Sequence, residues 1–225
     1  MIYITGDTHG EYNEFLNRIY QYKVQKDDIV IVCGDFGFVW DLPYHRYNLA
    51  RLASEPFTIA FVDGNHEDFT QLSSYPVEEW NGGKVHRINN NIIHLMRGQC
   101  FTIEGHMFFT MGGAYSIDKA MRTEGKSWWK EELPNQAEYE TASQSLESCG
   151  YAVDYVITHT VPQSAIYALG VPIDMHDAEL TGYFEWLHRN LRFKTWFAGH
   201  FHMNKTVRDN IRILMDEVVC IGKTE

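Results

Sequence analysis

Apolar positions fall in short runs separated by longer amphipathic stretches. The runs Ile2–Thr5, 28–33 and 57–62 read as buried strands, and each closes on a turn: Gly6-Asp7, Gly34-Asp35 and Gly64-Asn65. Between them, residues 11–22 and 44–54 read as helices; Phe15, Leu16 and Ile19 recur at helical spacing. Strand–helix–strand alternation predicts parallel βαβ units. In such sheets ligands bind beyond the carboxyl ends of the strands. The three glycine turns lie at those ends.

The middle of the chain has an antiparallel pattern: residues 84–87, Ile92–Leu95, Gln99–Ile103 and 107–111 are short runs separated by turns. Residues 112–134 follow no simple period and are rich in Lys, Arg and Trp. A helix is predicted over 135–149, a buried strand over 155–159 and a second helix over 177–192. The chain closes with a strand at 195–200 and hairpin strands near 205–208 and 211–216. No linker and no internal repeat interrupts this order. The expectation is an α/β chain forming one domain over 1–225, with two sheets, flanking helices and a lid or substrate loop at 112–134.

Composition narrows the classes. The 225 residues are 44% apolar and 22% charged, which excludes a disordered chain. No wholly apolar run is longer than that at 29–33, far short of the ~20 residues of a membrane span. The chain starts directly on a strand-like segment, and chemistry-bearing residues begin at Asp7, so no presequence is expected. Cys33, Cys100, Cys149 and Cys220 form no CxxC pair, which argues against a disulfide scaffold or cysteine zinc site and for a reducing, cytoplasmic location. A net charge of −11 gives no gain from counterion release on long duplex nucleic acid. A small anion can still be held where cations concentrate in one cleft.

Five motifs follow in order: Gly6-Asp7-Thr8-His9, Gly34-Asp35, Gly64-Asn65-His66-Glu67, Thr158-His159 and Gly199-His200-Phe201-His202. Asp, Asn and His form an O/N donor set suited to Mn, Fe, Zn or Ni. In an extended chain residues i and i+2 face one side, so Asp7 with His9, and His200 with His202, are each expected to address one ion. Asn65 and His66 should point apart, one ligating and the other free for proton transfer. A three-residue pattern such as GD-x-H arises by chance about once in 8,000 positions. Three such patterns in fixed order at strand ends are far more specific.

These motifs resemble the pattern of the calcineurin-like metallophosphoesterases: GD-x-H, GD, GNH-D/E, a lone His, then GH-x-H. Residues 112–118, followed by Trp128-Trp129, look like a bacterial and phage subgroup of undefined substrate. The resemblance implies a sandwich of two mixed sheets flanked by helices, with two divalent or transition-metal ions at the strand ends. Asp7, His9 and His202 resemble ligands of the first ion, and Asn65, His159 and His200 those of the second. Asp35 would bridge both. His66 resembles the proton donor; with Asn65 and Asp35 it would face the substrate and the reacting groups. The implied function is hydrolysis of a small phosphomonoester or phosphodiester, a nucleotide among them, by a hydroxide held between the metals. The rivals are a nuclease on short or single-stranded ends and a non-catalytic scaffold.

One departure stands out. The phosphoprotein phosphatase branch carries Asp-Arg-Gly after its second motif, and that Asp orients the catalytic His. Here Gly34-Asp35 continues as Phe36-Gly37-Phe38-Val39-Trp40. Asp63 and Glu67 are the substitutes at hand for orienting His66. His45, His86, His94, His106, His176 and His188 are read as structural or surface residues. Within 112–134, Lys119, Arg122, Lys126 and Lys130 stand near Trp128 and Trp129. They read equally as a phosphate-and-ring-binding loop or as a solvated face, with Arg122 the first choice for substrate contact. Oligomeric state is open.

Overall fold

The computed structural model describes residues 1–222. Its first sheet contains β1 (Ile2–Thr5), β2 (Ile29–Val32), β3 (Thr58–Phe61), β4 (Val77–Trp80), β5 (Gly83–Arg87) and β6 (Ile92–Leu95). The second contains β7 (Gln99–Ile103), β8 (His106–Met111), β9 (Tyr155–Thr158), β10 (Thr195–Ala198), β11 (Lys205–Val207) and β12 (Ile211–Ile213). The last strand, β13 (Val218–Ile221), returns to the first sheet against β1. The spatial orders are β13-β1-β2-β3-β6-β5-β4 and β11-β12-β10-β9-β8-β7. β1, β2, β3 and β6 run parallel, as do β8, β9, β10 and β12, while the outer strands pair antiparallel. Both sheets are therefore mixed.

Alternation along the strands sorts the core into layers, because successive side chains point to opposite faces. Ile2, Ile4, Ile29, Ile31 and Val62 meet Phe101, Ile103, Phe108, Ile157 and Phe197 between the two sheets. On the outer face of the first sheet, Tyr3, Val30, Val32 and Phe61 pack on helices α1 (Tyr12–Tyr20) and α2 (Pro43–Leu52) through Phe15, Ile19 and Leu52. On the outer face of the second, Phe109, Val156 and Trp196 pack on α4 (Gln136–Ser148), α5 (Gln163–Leu169) and α6 (Ala178–Asn190). A single turn, α3 (Phe69–Leu72), follows the third glycine turn and is capped by the Asp68 side chain.

The expected strands and long helices are present, with ends shifted by up to three residues, the largest shift at β12, which stops at Ile213. Four elements were missed. β4 is Val-Glu-Glu-Trp and largely exposed, so it carries no alternating apolar signal. α3 and α5 are too short for periodicity to register. β13 is an apolar run near the end of the chain whose partner, β1, lies at the opposite end of the sequence. In 112–134 the chain forms two short 3₁₀ turns, Lys119–Met121 and Lys130–Glu132. Among the described residues, no helix is long and apolar enough to cross a membrane.

Candidate metal centre

The motifs converge at the carboxyl ends of β1, β2, β3, β9 and β10. Their backbone differs from the extended chain expected for i, i+2 presentation. His9, Asp35, His200 and His202 all have positive φ, between 47° and 68°. The strands end at Thr5, Val32 and Ala198, before the donors, so the donors sit on turns and not on the strands themselves. Left-handed non-glycine residues cost about 1–3 kcal/mol each and persist only where surrounding contacts hold them. Here they bring His9 beside His202, residues that lie far apart in sequence. Arg18 of α1 anchors the first turn, donating to Thr5 Oγ1 at 3.0 Å, to the Asp7 carbonyl at 3.2 Å and to the Met215 carbonyl at 2.7 Å.

Asp7, His9, Asp35 and His202 offer donor atoms that all lie within 4.8 Å of one another. His202 Nε2 is 3.3 Å from Asp7 Oδ2 and 3.1 Å from His9 Nε2. Asp35 divides its carboxylate: Oδ2 lies 3.7 Å from His9 Nδ1, and Oδ1 lies 3.3 Å from His159 Nε2. His159 Nε2 is also 3.2 Å from Asn65 Oδ1. Asn65 is oriented by Ser116, whose hydroxyl accepts from Asn65 Nδ2 at 3.2 Å, leaving Oδ1 toward His159. His200 stands edge-on to the His159 ring, centroids 5.0 Å apart, and its backbone N–H donates to Asp7 at 3.1 Å. Asp7, His9, Asp35 and His202 thus form one group, His159 adjoins the other oxygen of Asp35 with Asn65 beside it, and the His200 ring packs against His159.

The donor set fits a cation. His159 Nδ1 donates to the Cys33 carbonyl at 2.8 Å, so its Nε2 faces two oxygen acceptors with only a lone pair to offer. A proton or a metal ion at Nε2 resolves that conflict. In the metal-free protein, burial opposes charge on His159, but Asp35 and Asp7 outweigh it and raise its pKa to about 10. Burial likewise works against the Asp35 carboxylate, while His159, His66 and His9 hold its pKa well below the ordinary range. His200 is pushed down to about 4, first by burial and then by charge on His159. His202 moves up, mainly through its hydrogen bond to Asp7.

His66 stands beside this group, its ring centroid 5.5 Å from that of His9. Arg122 Nη2 lies 3.0 Å from His66 Nδ1 and 3.1 Å from Nε2, and the same guanidinium pairs with Asp118 at 2.7 Å. Burial lowers the His66 pKa, and Arg122 adds to that against the pull of Asp35. Neither suggested carboxylate reaches the ring. Glu67 is buried and accepts the backbone N–H groups of Phe36 at 2.7 Å and Gly37 at 3.2 Å. Asp63 pairs with Arg97 and with His94 Nε2 at 3.0 Å. His94, read as a bland position, thus belongs to a buried polar chain that continues to His86, Nδ1 to Nδ1 at 2.9 Å. His45 holds the Gly37 carbonyl at 2.8 Å, a structural role.

A cavity of about 460 Å³ opens on the donors. Beyond Asp35, Asn65, His66, His200 and His202, its wall includes Tyr115, Asp118, Asp174 and Asp177. Asp174 and Asp177 went unnoticed because they lie in the irregular stretch between α5 and α6, where only the Gly170-Val171-Pro172 break marks a loop. Arg122 adjoins the site through His66. Trp129 is buried with Phe36 and Phe38 in the core, and Trp128 stacks near Lys119 Nζ, 4.9 Å from its ring centroid.

Among curated proteins none matches this chain. The family model for calcineurin-like phosphoesterases matches residues 1–204. With two mixed sheets, flanking helices and this Asp/His group at the strand ends, the chain belongs to the calcineurin-like phosphoesterase family.

Proposed function

We propose that this protein hydrolyses a small phosphomonoester or phosphodiester with two divalent ions held between its strand ends. The observation that carries this reading is the divided carboxylate of Asp35, one oxygen toward His9 and the other toward His159. Asp7, His9 and His202 would hold one ion, Asn65, His159 and His200 the second, and Asp35 both. When bound, such a pair clamps phosphate oxygens and makes water nucleophilic near neutral pH.

The remaining roles belong to side chains of this chain. Arg122 offers a guanidinium to phosphate oxygens and is kept at the site by Asp118. His66, whose protonation Arg122 opposes while it sits on the ring, would take up a proton once Arg122 turns to phosphate and deliver it to the leaving oxygen as the ester bond breaks. The shift of Arg122 from His66 to phosphate frees the ring for that transfer. Burial of Asp7, Asp35, Asn65 and His159 keeps the donors preorganised and dry, which strengthens each electrostatic contact. A nuclease reading gains less support, since apart from Arg122 at His66 the cavity wall adds the carboxylates Asp118, Asp174 and Asp177.

The test is hydrolysis of p-nitrophenyl phosphate and bis-p-nitrophenyl phosphate by metal-stripped protein refilled separately with Mn²⁺, Zn²⁺, Ni²⁺ or Mg²⁺. Metal-dependent turnover of either ester is expected. Inactivity with every ion, in protein shown to bind two ions per chain, would overturn the reading.

A further inference from the structure

The cavity wall beside the metal donors has a chemistry of its own. Its charged side chains are Asp118, Asp174 and Asp177, and its apolar ones are Ile117, Ile166, Val171, Pro172 and Phe201. Asp118 and Asp174 each have a partner at the rim: Arg122 for Asp118, and the His176 ring and backbone N–H for Asp174, at 2.9 and 2.8 Å. Their side chains still keep 37% exposure, so acceptor oxygens remain open to a ligand. Asp177 is different. It is 6% exposed; its carboxylate accepts the Tyr115 backbone N–H, while its Oδ1 has no hydrogen-bond partner. It occupies the N-cap of α6, a position where Asp normally accepts from the helix backbone, yet it makes no such bond. A buried, unpartnered carboxylate oxygen at a cavity wall is costly and calls for an outside donor.

We infer that this wall receives the leaving group, and that the leaving group is a neutral alcohol bearing further hydroxyls, a sugar-like or polyol phosphomonoester. The inference rests on the phosphoesterase reading and deepens it. Three carboxylates in the same cavity as the metal donors accept hydroxyl hydrogens and repel a second phosphate. The apolar side chains give flat contact for the C–H faces of a ring. A volume of about 460 Å³ suits one ring with its phosphate. Phosphoanhydrides and bisphosphates would place added negative charge against Asp174 and Asp177.

Two esters that share a six-membered carbon ring isolate this effect: cyclohexyl phosphate and myo-inositol 1-phosphate. The refilled full-length enzyme should show kcat/KM about tenfold or more higher for the inositol ester, as expected for hydrogen bonds to a charged acceptor. A bisphosphate of inositol should be slower than the monophosphate. Asp177→Asn and the more exposed Asp174→Asn should each shrink the inositol-to-cyclohexyl ratio; the ratio is read within one variant, so a general loss of activity does not mimic it. Saturation-transfer NMR on Zn²⁺-loaded protein should show stronger contact for inositol than for cyclohexanol. Equal kcat/KM for the two monoesters, or preference for the bisphosphate, would overturn this inference while p-nitrophenyl phosphate turnover leaves the hydrolase reading standing. Failure to hydrolyse p-nitrophenyl phosphate as well would overturn both.

Discussion

Asp35 and Glu67 grip each other's turns. The Asp35 carboxylate accepts the His66 backbone N–H at 2.8 Å, and the Glu67 carboxylate accepts the N–H groups of Phe36 and Gly37 that directly follow Asp35. The loops after β2 and β3 are thereby locked in register, with Asp35 and His66 on opposite sides of the lock. Burial, then the nearby Asp35, drives the Glu67 pKa well above the ordinary carboxylate range, so the site bears a cost to keep this acceptor. Glu67→Ala strands two buried N–H groups, each worth about 1–3 kcal/mol. It should lower thermal stability and weaken metal binding together. A melt and a metal titration check this; an unchanged affinity would show that the lock does not position Asp35.

Close approach makes glycine necessary at the same place. A Cβ on Gly64 would collide with Asp35 Oδ1, and one on Gly199 with Asp7 Oδ1. Gly64→Ala and Gly199→Ala should each weaken metal binding about tenfold or more, as displaced supports of metal ligands do. Calorimetric titration of stripped protein measures it, and wild-type affinity in both variants would refute the account.

The roles given to His66 and Arg122 separate kinetically. His66→Ala should retain metal and lose about 10²–10⁴ in rate on alkyl esters, less on nitrophenyl esters that leave without protonation. Arg122→Ala should reduce kcat/KM by about tenfold to a hundredfold on both kinds, since it removes a phosphate contact and no proton. Parallel losses in the two variants across leaving groups would contradict the division of labour.

The chain behind Asp63 predicts how stability varies with pH. His86 on β5 lies opposite His94 on β6, rings stacked 5.2 Å apart. Burial, then charge on His94, lowers the His86 pKa from 6.5 to about 4. The unfolded chain therefore takes up a proton that the folded protein refuses as pH falls through that window, and the native state loses stability between them. Melting temperature in chelator should fall as pH drops from about 6.5 to 4, and His86→Gln should flatten the decline. The same slope in wild type and variant would rule His86 out as its source.

Much of this was readable before the structure. The group Asp7, His9, Asp35 and His202 was legible because such chemistry is confined to short motifs at strand ends, and strand ends are marked by apolar runs meeting glycine. The partners of those donors were not legible. Asp63 and Glu67 flank Asn65-His66 in sequence, yet folding turns them toward Arg97 and toward the Phe36 backbone, because the sign and distance of a partner depend on tertiary packing. Arg122 was picked out by composition, but its contact with His66 needs the course of residues 112–134, which no periodicity encodes. The left-handed backbone at His9, Asp35, His200 and His202 was also missed, since pattern reading assigns an extended geometry wherever a strand has just ended.

The central claim, that two ions astride Asp35 support phosphoester hydrolysis, is most directly tested by following turnover of p-nitrophenyl phosphate as Mn²⁺ is added stepwise to stripped protein, with bound metal counted in parallel. The account predicts that activity develops as occupancy reaches two ions per chain, and that Asp35→Asn abolishes both the second equivalent and the activity. Full activity at one ion per chain, or two tightly held ions in Asp35→Asn, would contradict it.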